Sequence, residues 1–172
     1  MPPALPGDSY QHPPLIRRET VSVAALPYTG GVPLKTSLPV DIERRLSTLG
    51  AALAAATPDI EFAYLFGSAS AGGMTPRSDI DLATYVSESA DALLTRLETS
   101  RIAAGHLGTD AIDIVVLNTA PIALAGRVLT SRRVLLDRRP FLRHQYESLT
   151  ARMFQDFRIR EHRLLAERFA RG

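Results

Sequence analysis

Apolar residues first recur at helical spacing between residues 39 and 56, where Val40, Ile42, Leu46, Leu49 and Leu53 fall three or four positions apart or close to it. The pattern predicts a helix over about 39–56, with Ser37 as its cap and Pro39 in its first turn. The period then changes. Glu61-Phe62-Ala63-Tyr64-Leu65-Phe66, closed by Gly67, reads as a buried strand, and a glycine-rich segment runs on to Gly73. Ile80 to Val86 reads as a second strand, Asp91 to Ala104 as an amphipathic helix, and Ala111 to Leu117 as a third strand rich in Ile and Val. Thr119 and Pro121 open a short helix ending near Leu129, and Val134-Leu135-Leu136 forms an edge strand. Phe141 to Phe169 reads as a long terminal helix with Leu149, Met153, Phe157, Leu164 and Leu165 on or near one face. The alternation is that of an α/β (α+β) chain.

Ahead of this pattern, eight of the 12 prolines fall within the first 39 residues without sustained apolar periodicity. Residues 1–36 are therefore expected to be an irregular or disordered extension, and residues 37–172 the folded domain. A chain of 172 residues has room for one core of ordinary size. Apolar residues at 45% and charged residues at 22% exclude a wholly disordered or collagen-like chain. The N-terminus has neither a basic nor an apolar signal region, and no apolar run is long enough for a membrane span, so the expected location is cytoplasmic. Cysteine is absent, which removes disulfides, thiolate zinc sites and thiol nucleophiles. His12, His106, His144 and His162 are scattered rather than paired at metal-ligand spacing.

Charge is unevenly distributed. Residues 1–120 carry 8 basic and 13 acidic side chains, whereas residues 121–172 carry 12 and 5. All the basic residues but Lys35 are arginine, so the last third is arginine-rich. Such a surface suits carboxylates, phosphates or an acidic partner, although a solvated helix has the same composition.

The candidate chemistry lies in the central strands. Gly67-Ser68 follows the first strand, ten residues intervene, and Asp79-Ile80-Asp81 opens the next. Side chains alternate in a strand, so Asp79 and Asp81 project from one face while Ile80 and Leu82 turn into the apolar layer. Two converging carboxylates repel each other, and a divalent cation is the natural compensation. Magnesium fits best, because it is commonly held by one or two carboxylates plus substrate phosphates. Asp113, the single charge in Ile112-Asp113-Ile114-Val115-Val116, joins the pair if its strand lies beside the second. There it could bind metal or deprotonate a hydroxyl. Gly67 lets backbone amides approach a phosphate, and Ser68 adds a hydroxyl at what reads as a helix N-terminus. Arg77, close to the Asp pair, is a candidate phosphate ligand.

At Tyr64-Leu65-Phe66-Gly67-Ser68, Ser78-Asp79-Ile80-Asp81-Leu82-Ala83 and Asp113-Ile114-Val115-Val116-Leu117-Asn118, the chain resembles the DNA polymerase β-like nucleotidyltransferase superfamily. More closely, it resembles the MntA-type minimal nucleotidyltransferases, antitoxin partners of HEPN ribonuclease toxins. The likeness extends from about residue 40 to 160. It implies a nucleotidyltransferase fold, a small mixed sheet flanked by helices with a long C-terminal helix. It also implies magnesium-dependent transfer of AMP from ATP to a tyrosine hydroxyl on the toxin. Gly67 and Ser68 would hold the triphosphate, Asp79 and Asp81 the metal, and Asp113 would activate the hydroxyl. One departure stands out: many relatives carry arginine just after the Gly-Ser, where this chain reads Ala69-Ser70-Ala71-Gly72-Gly73.

Other readings use the same residues. A small-molecule nucleotidyltransferase of the aminoglycoside-modifying type shares the carboxylates but usually adds a helical acceptor domain, and only about 50 residues follow Leu117 here. A binding-only antitoxin would mask its toxin through the C-terminal helix and keep an inactive acidic cluster. Nucleic acid is not the expected partner, since no separate binding domain is evident, and neither is a membrane. Arg139 and His144 have the Arg-x4-His spacing of HEPN toxins, but the predicted strands argue against that all-helical fold.

Overall fold

The structure is a computed structural model that describes residues 37–70 and 72–170, so the proline-rich extension expected over 1–36 lies outside the described residues. Helix α1 (Ile42–Ala56) leads into strand β1 (Ile60–Phe66), a single 3-10 turn (Gly67–Ala69) and strand β2 (Ile80–Val86). Helix α2 (Ala92–Leu107), strand β3 (Ile112–Val116), helix α3 (Ile122–Thr130), strand β4 (Arg133–Asp137) and helix α4 (Pro140–Ala170) follow. The strands form one sheet in the order β3-β2-β1-β4. β1 runs antiparallel to β2 and β4, whereas β2 and β3 are parallel. A parallel pair needs a crossover long enough to return the chain to its starting end, and α2 provides it.

Strand alternation divides the core into two layers. On one face Ala63, Leu65, Ile80, Leu82 and Ile114 pack under Leu46, Leu49 and Leu53 of α1 and Ala103 and Leu107 of α2. On the other face Phe62, Tyr64 and Ala83 pack with Val128 and Leu129 of α3 and with Leu142 and Tyr146 of α4. Here the rings of Phe62 and Tyr85 stack with centroids 4.8 Å apart, and Tyr146 meets Tyr85 edge-on at 5.3 Å. Helices α3 and α4 approach so closely that a Cβ on Gly126 would fall within the Phe154 ring.

Helix boundaries differ from expectation at two places. Helix α1 starts at Ile42 rather than near Pro39, and Asp41 precedes it without a capping bond because its carboxylate is engaged by Arg44 and Arg45. Helix α3 begins after Pro121, and Thr119 does not cap it. The face of α4 that packs also departs from the expected stripe: Leu142, Tyr146, Thr150 and Phe154 turn inward, while Leu149, Met153, Leu164 and Leu165 are exposed. The inner face is set by Gly126 and the aromatic cluster, which periodicity within α4 cannot reveal.

Several arginines of the C-terminal third hold this frame together. Arg138 donates to the carbonyls of Thr57 (2.7 Å), Ile60 (2.6 Å), Pro58 (3.2 Å) and Ala54, satisfying acceptors left over where α1 ends and β1 begins. Glu147, on the inner face of α4, accepts from the Tyr64 hydroxyl (2.8 Å), from Arg132 (3.0 Å) and from Arg143 (2.9 Å). Burial pushes its carboxyl up, but these three donors outweigh that and hold it at about 2.

A carboxyl held below its unfolded value contributes stability above the ordinary carboxylate range, and that stability is lost as pH falls toward about 2. Glu147→Gln is therefore expected to cost about 3 kcal/mol at neutral pH. Urea unfolding across pH should show the difference shrinking as pH falls toward 2. A deficit independent of pH would contradict this account of the cluster.

Candidate active site

The site lies where β1 ends. After Phe66 the backbone turns through Gly67, whose φ of +66° is a conformation that favours glycine. The position has a second requirement, since a Cβ there would fall on the Asp81 carboxylate. The turn and the acid are thus packed directly together.

Register brings the carboxylates into line. Phe66 pairs with Asp81 across β1 and β2, and Asp81 pairs with Asp113 across the parallel β2 and β3, so the three occupy one row of the sheet. Directly opposed residues share a face, and Ile80 and Leu82, turned to the other face, are fully buried. Asp79 stands half-buried one residue before β2. Asp81 titrates above the usual carboxylate range, first because of burial and then because of the charges of Asp113 and Asp79. All three causes act in the same direction.

Asp81, Asp113, Phe66 and Gly67 line a hollow of about 550 Å3, walled by Leu124, Arg127 and Ser131 on the α3 side and by Arg96 of α2. Ligand sites commonly have volumes of this order. A larger hollow of about 740 Å3 between α3 and the outer part of α4 lies away from these acids.

The turn expected to bind phosphate differs from its predicted form. Gly67-Ser68 does not begin an α-helix; the turn has three residues, too few to supply a helix dipole. The Gly67 N–H donates to the Ser131 hydroxyl at 3.3 Å, and the Ser68 carbonyl accepts from the Gly73 N–H at 3.1 Å. Ser68 itself is half-buried. Arg77 is exposed in the turn before Asp79 and does not line the hollow. Arg96, Arg127 and Ser131 do line it and were not singled out from sequence. Arg127 is one of the 12 basic residues after position 120, and Arg96 is an ordinary polar position of an amphipathic helix, so neither carried a local signal. Asn118, at the end of the third motif, has a structural role: its amide both donates to and accepts from the Val86 backbone at 2.9 Å, closing the end of β2.

The donor set suits magnesium. The available ligands are carboxylate oxygens alone, and their mutual repulsion on Asp81 is what a divalent cation would relieve. Among the described residues no three acidic or histidine side chains are gathered to enclose an ion. Magnesium held by one or two carboxylates together with substrate phosphates does not require such an enclosure.

Residues 51–141 match the family described as Polymerase beta, Nucleotidyltransferase. The protein adenylyltransferase MntA of Shewanella oneidensis is 35% identical over 78 residues, which make up 45% of this chain and 55% of that one. The match thus spans about half the length of that curated relative. A crystal structure of a toxin–antitoxin with AMP-PNP superposes with a TM-score of 0.60 at 25% identity, over 72% of this chain and 98% of that chain. The tri-AMPylated Shewanella oneidensis HEPN toxin in complex with its MNT antitoxin gives a TM-score of 0.56 at 23% identity, over 74% and 98%, a likeness of fold. No helix among the described residues is long and apolar enough to cross a membrane.

Because folding raises the pKa of Asp81, its ionised form costs stability as pH rises through that range, and the cost is absent in acid, where the group is protonated in both states. Asp81→Asn should melt higher than the wild type at neutral pH without divalent ions, with no advantage in acid. Magnesium should raise the melting temperature of the wild type but not of the variant. A wild type that melts higher than Asp81→Asn in metal-free neutral buffer would contradict this reading.

Proposed function

The chain belongs to the polymerase beta nucleotidyltransferase family, and from that premise we propose that it transfers AMP from ATP to a tyrosine hydroxyl of a HEPN ribonuclease, silencing that toxin as its antitoxin. The observation that carries the proposal is the alignment of Asp81 with Asp113 beside the Gly67 turn, in a hollow of nucleotide size. Its support as a protein adenylyltransferase is the likeness to MntA and to a toxin–antitoxin with AMP-PNP.

In this reaction Asp113, which is exposed and so open to an acceptor, takes the proton of the tyrosine hydroxyl. The phenolic oxygen forms a bond to the α-phosphorus of ATP, the bond from that phosphorus to the β-phosphate bridging oxygen breaks, and pyrophosphate leaves. Asp79 and Asp81 would hold magnesium, with Asp113 beside them, and the ion when bound offsets charge on the phosphates. Gly67 and Ser68 form the turn against which the phosphates rest. Its glycine cannot be replaced without displacing Asp81. The cytoplasm, where ATP and ribonuclease targets are found, is the fitting location.

Incubation with magnesium, ATP and a HEPN protein encoded beside it tests the reading by intact mass. The expected result is a gain of one or more AMP units on a partner tyrosine, abolished by Asp79→Asn/Asp81→Asn and lowered at least 100-fold in rate by Asp113→Asn. A stable complex that silences the toxin without any gain in mass would overturn the transferase reading and leave a masking antitoxin. Modification of an aminoglycoside instead of the partner would make the acceptor a small molecule.

A further inference from the structure

Most arginines of the described residues that approach another group do so to hold the fold together. Arg45, Arg101, Arg132, Arg138 and Arg143 each donate to a carboxylate or carbonyl. Arg96 and Arg127 do not. Both are exposed, both line the hollow that contains Asp81 and Asp113, and neither has a hydrogen-bond or ion-pair partner among the described residues. They come from different elements, α2 and α3, and meet only at this hollow. Neither guanidinium is among the influences on Asp81, which are burial and the charges of Asp113 and Asp79.

Two unclaimed guanidiniums in an acidic hollow need a ligand with its own negative charge. A guanidinium matches phosphate oxygens with paired donors, which makes it the side chain best suited to a polyphosphate. The turn itself brings no cation: Gly67-Ser68 is followed by Ala69-Ser70-Ala71-Gly72-Gly73, and Arg77 lies outside the hollow.

We propose that Arg96 and Arg127, brought to one hollow by α2 and α3, grip the β- and γ-phosphates of the nucleoside triphosphate in place of a cation in the turn, and neutralise pyrophosphate as it leaves. This inference rests on the nucleotidyltransferase reading above. It assigns the triphosphate's distal charge to α2 and α3 rather than to the turn. Affinity should then depend on the distal phosphates far more than on the nucleoside monophosphate.

Calorimetric titration of the full-length chain with magnesium and ATP, and separately with AMP, tests this. Arg96→Ala and Arg127→Ala are each expected to weaken ATP binding roughly 10-fold and together roughly 100-fold. AMP affinity should be unchanged, and inhibition of AMP transfer by pyrophosphate should weaken in step. Lysine at either position should recover only part of the loss, and Arg101→Ala, an equal change of charge on α2 at a residue paired with Glu98, should leave binding unaltered. The inference is overturned if the double variant binds ATP like the wild type, or if it loses ATP and AMP in equal measure. A wild type that transfers AMP while the double variant keeps full affinity overturns this inference alone. A wild type that binds no ATP overturns both it and the nucleotidyltransferase reading.

Discussion

Everything chemical in this molecule depends on the register of β2 against β3. Parallel pairing sets Asp81 opposite Asp113 and leaves Ile80, Leu82 and Ile114 on the other face as core. A slip of one residue would send one carboxylate into that apolar layer and bring an isoleucine to the site. The apolar faces of α1 and α2 thus hold the acids in place by burying their neighbours. The resulting burial and proximity of charges are kept at a cost, visible in the raised titration of Asp81.

The opposite face of the sheet solves a different problem. It must carry an aromatic core at one end and a polar hollow at the other. Phe62, Tyr64, Tyr85 and Tyr146 fill the first end, and the Tyr64 hydroxyl finds its acceptor in Glu147. Two arginines complete the satisfaction of that carboxylate, so α4 is docked by a partly buried polar network as well as by packing. Toward the other end the chain narrows to Gly67, and the hollow opens between β3 and α3.

The arginine excess of the last third resolves into distinct uses. Arg138 closes the end of α1, and Arg132 and Arg143 serve Glu147. Arg127 faces the hollow instead. Farther along α4, from Arg158 to Phe169, the helix is exposed and its charges lie in solvent. Net charge alone could not separate these uses, because a guanidinium inside a carbonyl cage and one facing an acidic row look alike in a sequence.

The order of helices and strands was legible because each has a strong local pattern: Phe62 to Phe66, Ile80 to Val86 and Ile112 to Val116 could hardly be anything but strands. The Gly-Ser and Asp-x-Asp motif was legible as a spacing, and alternation within β2 turns Asp81 away from the face of Ile80 and Leu82, although Asp79 stands one residue before the strand. What the sequence left conditional was whether Asp113 joins them, because strand neighbourhood is a long-range fact decided by how α2 crosses the sheet. The packed face of α4 was decided by Gly126 on another helix. The Gly67 turn proved too short to act as a helix terminus, and Arg77 stayed outside the hollow that Arg96 and Arg127 line. Local periodicity determined the elements and the face on which Asp81 lies in β2; only the tertiary structure decided that Asp113 stands beside it and that Arg96 and Arg127 line the same hollow, because these come from separate elements that meet only when the sheet closes.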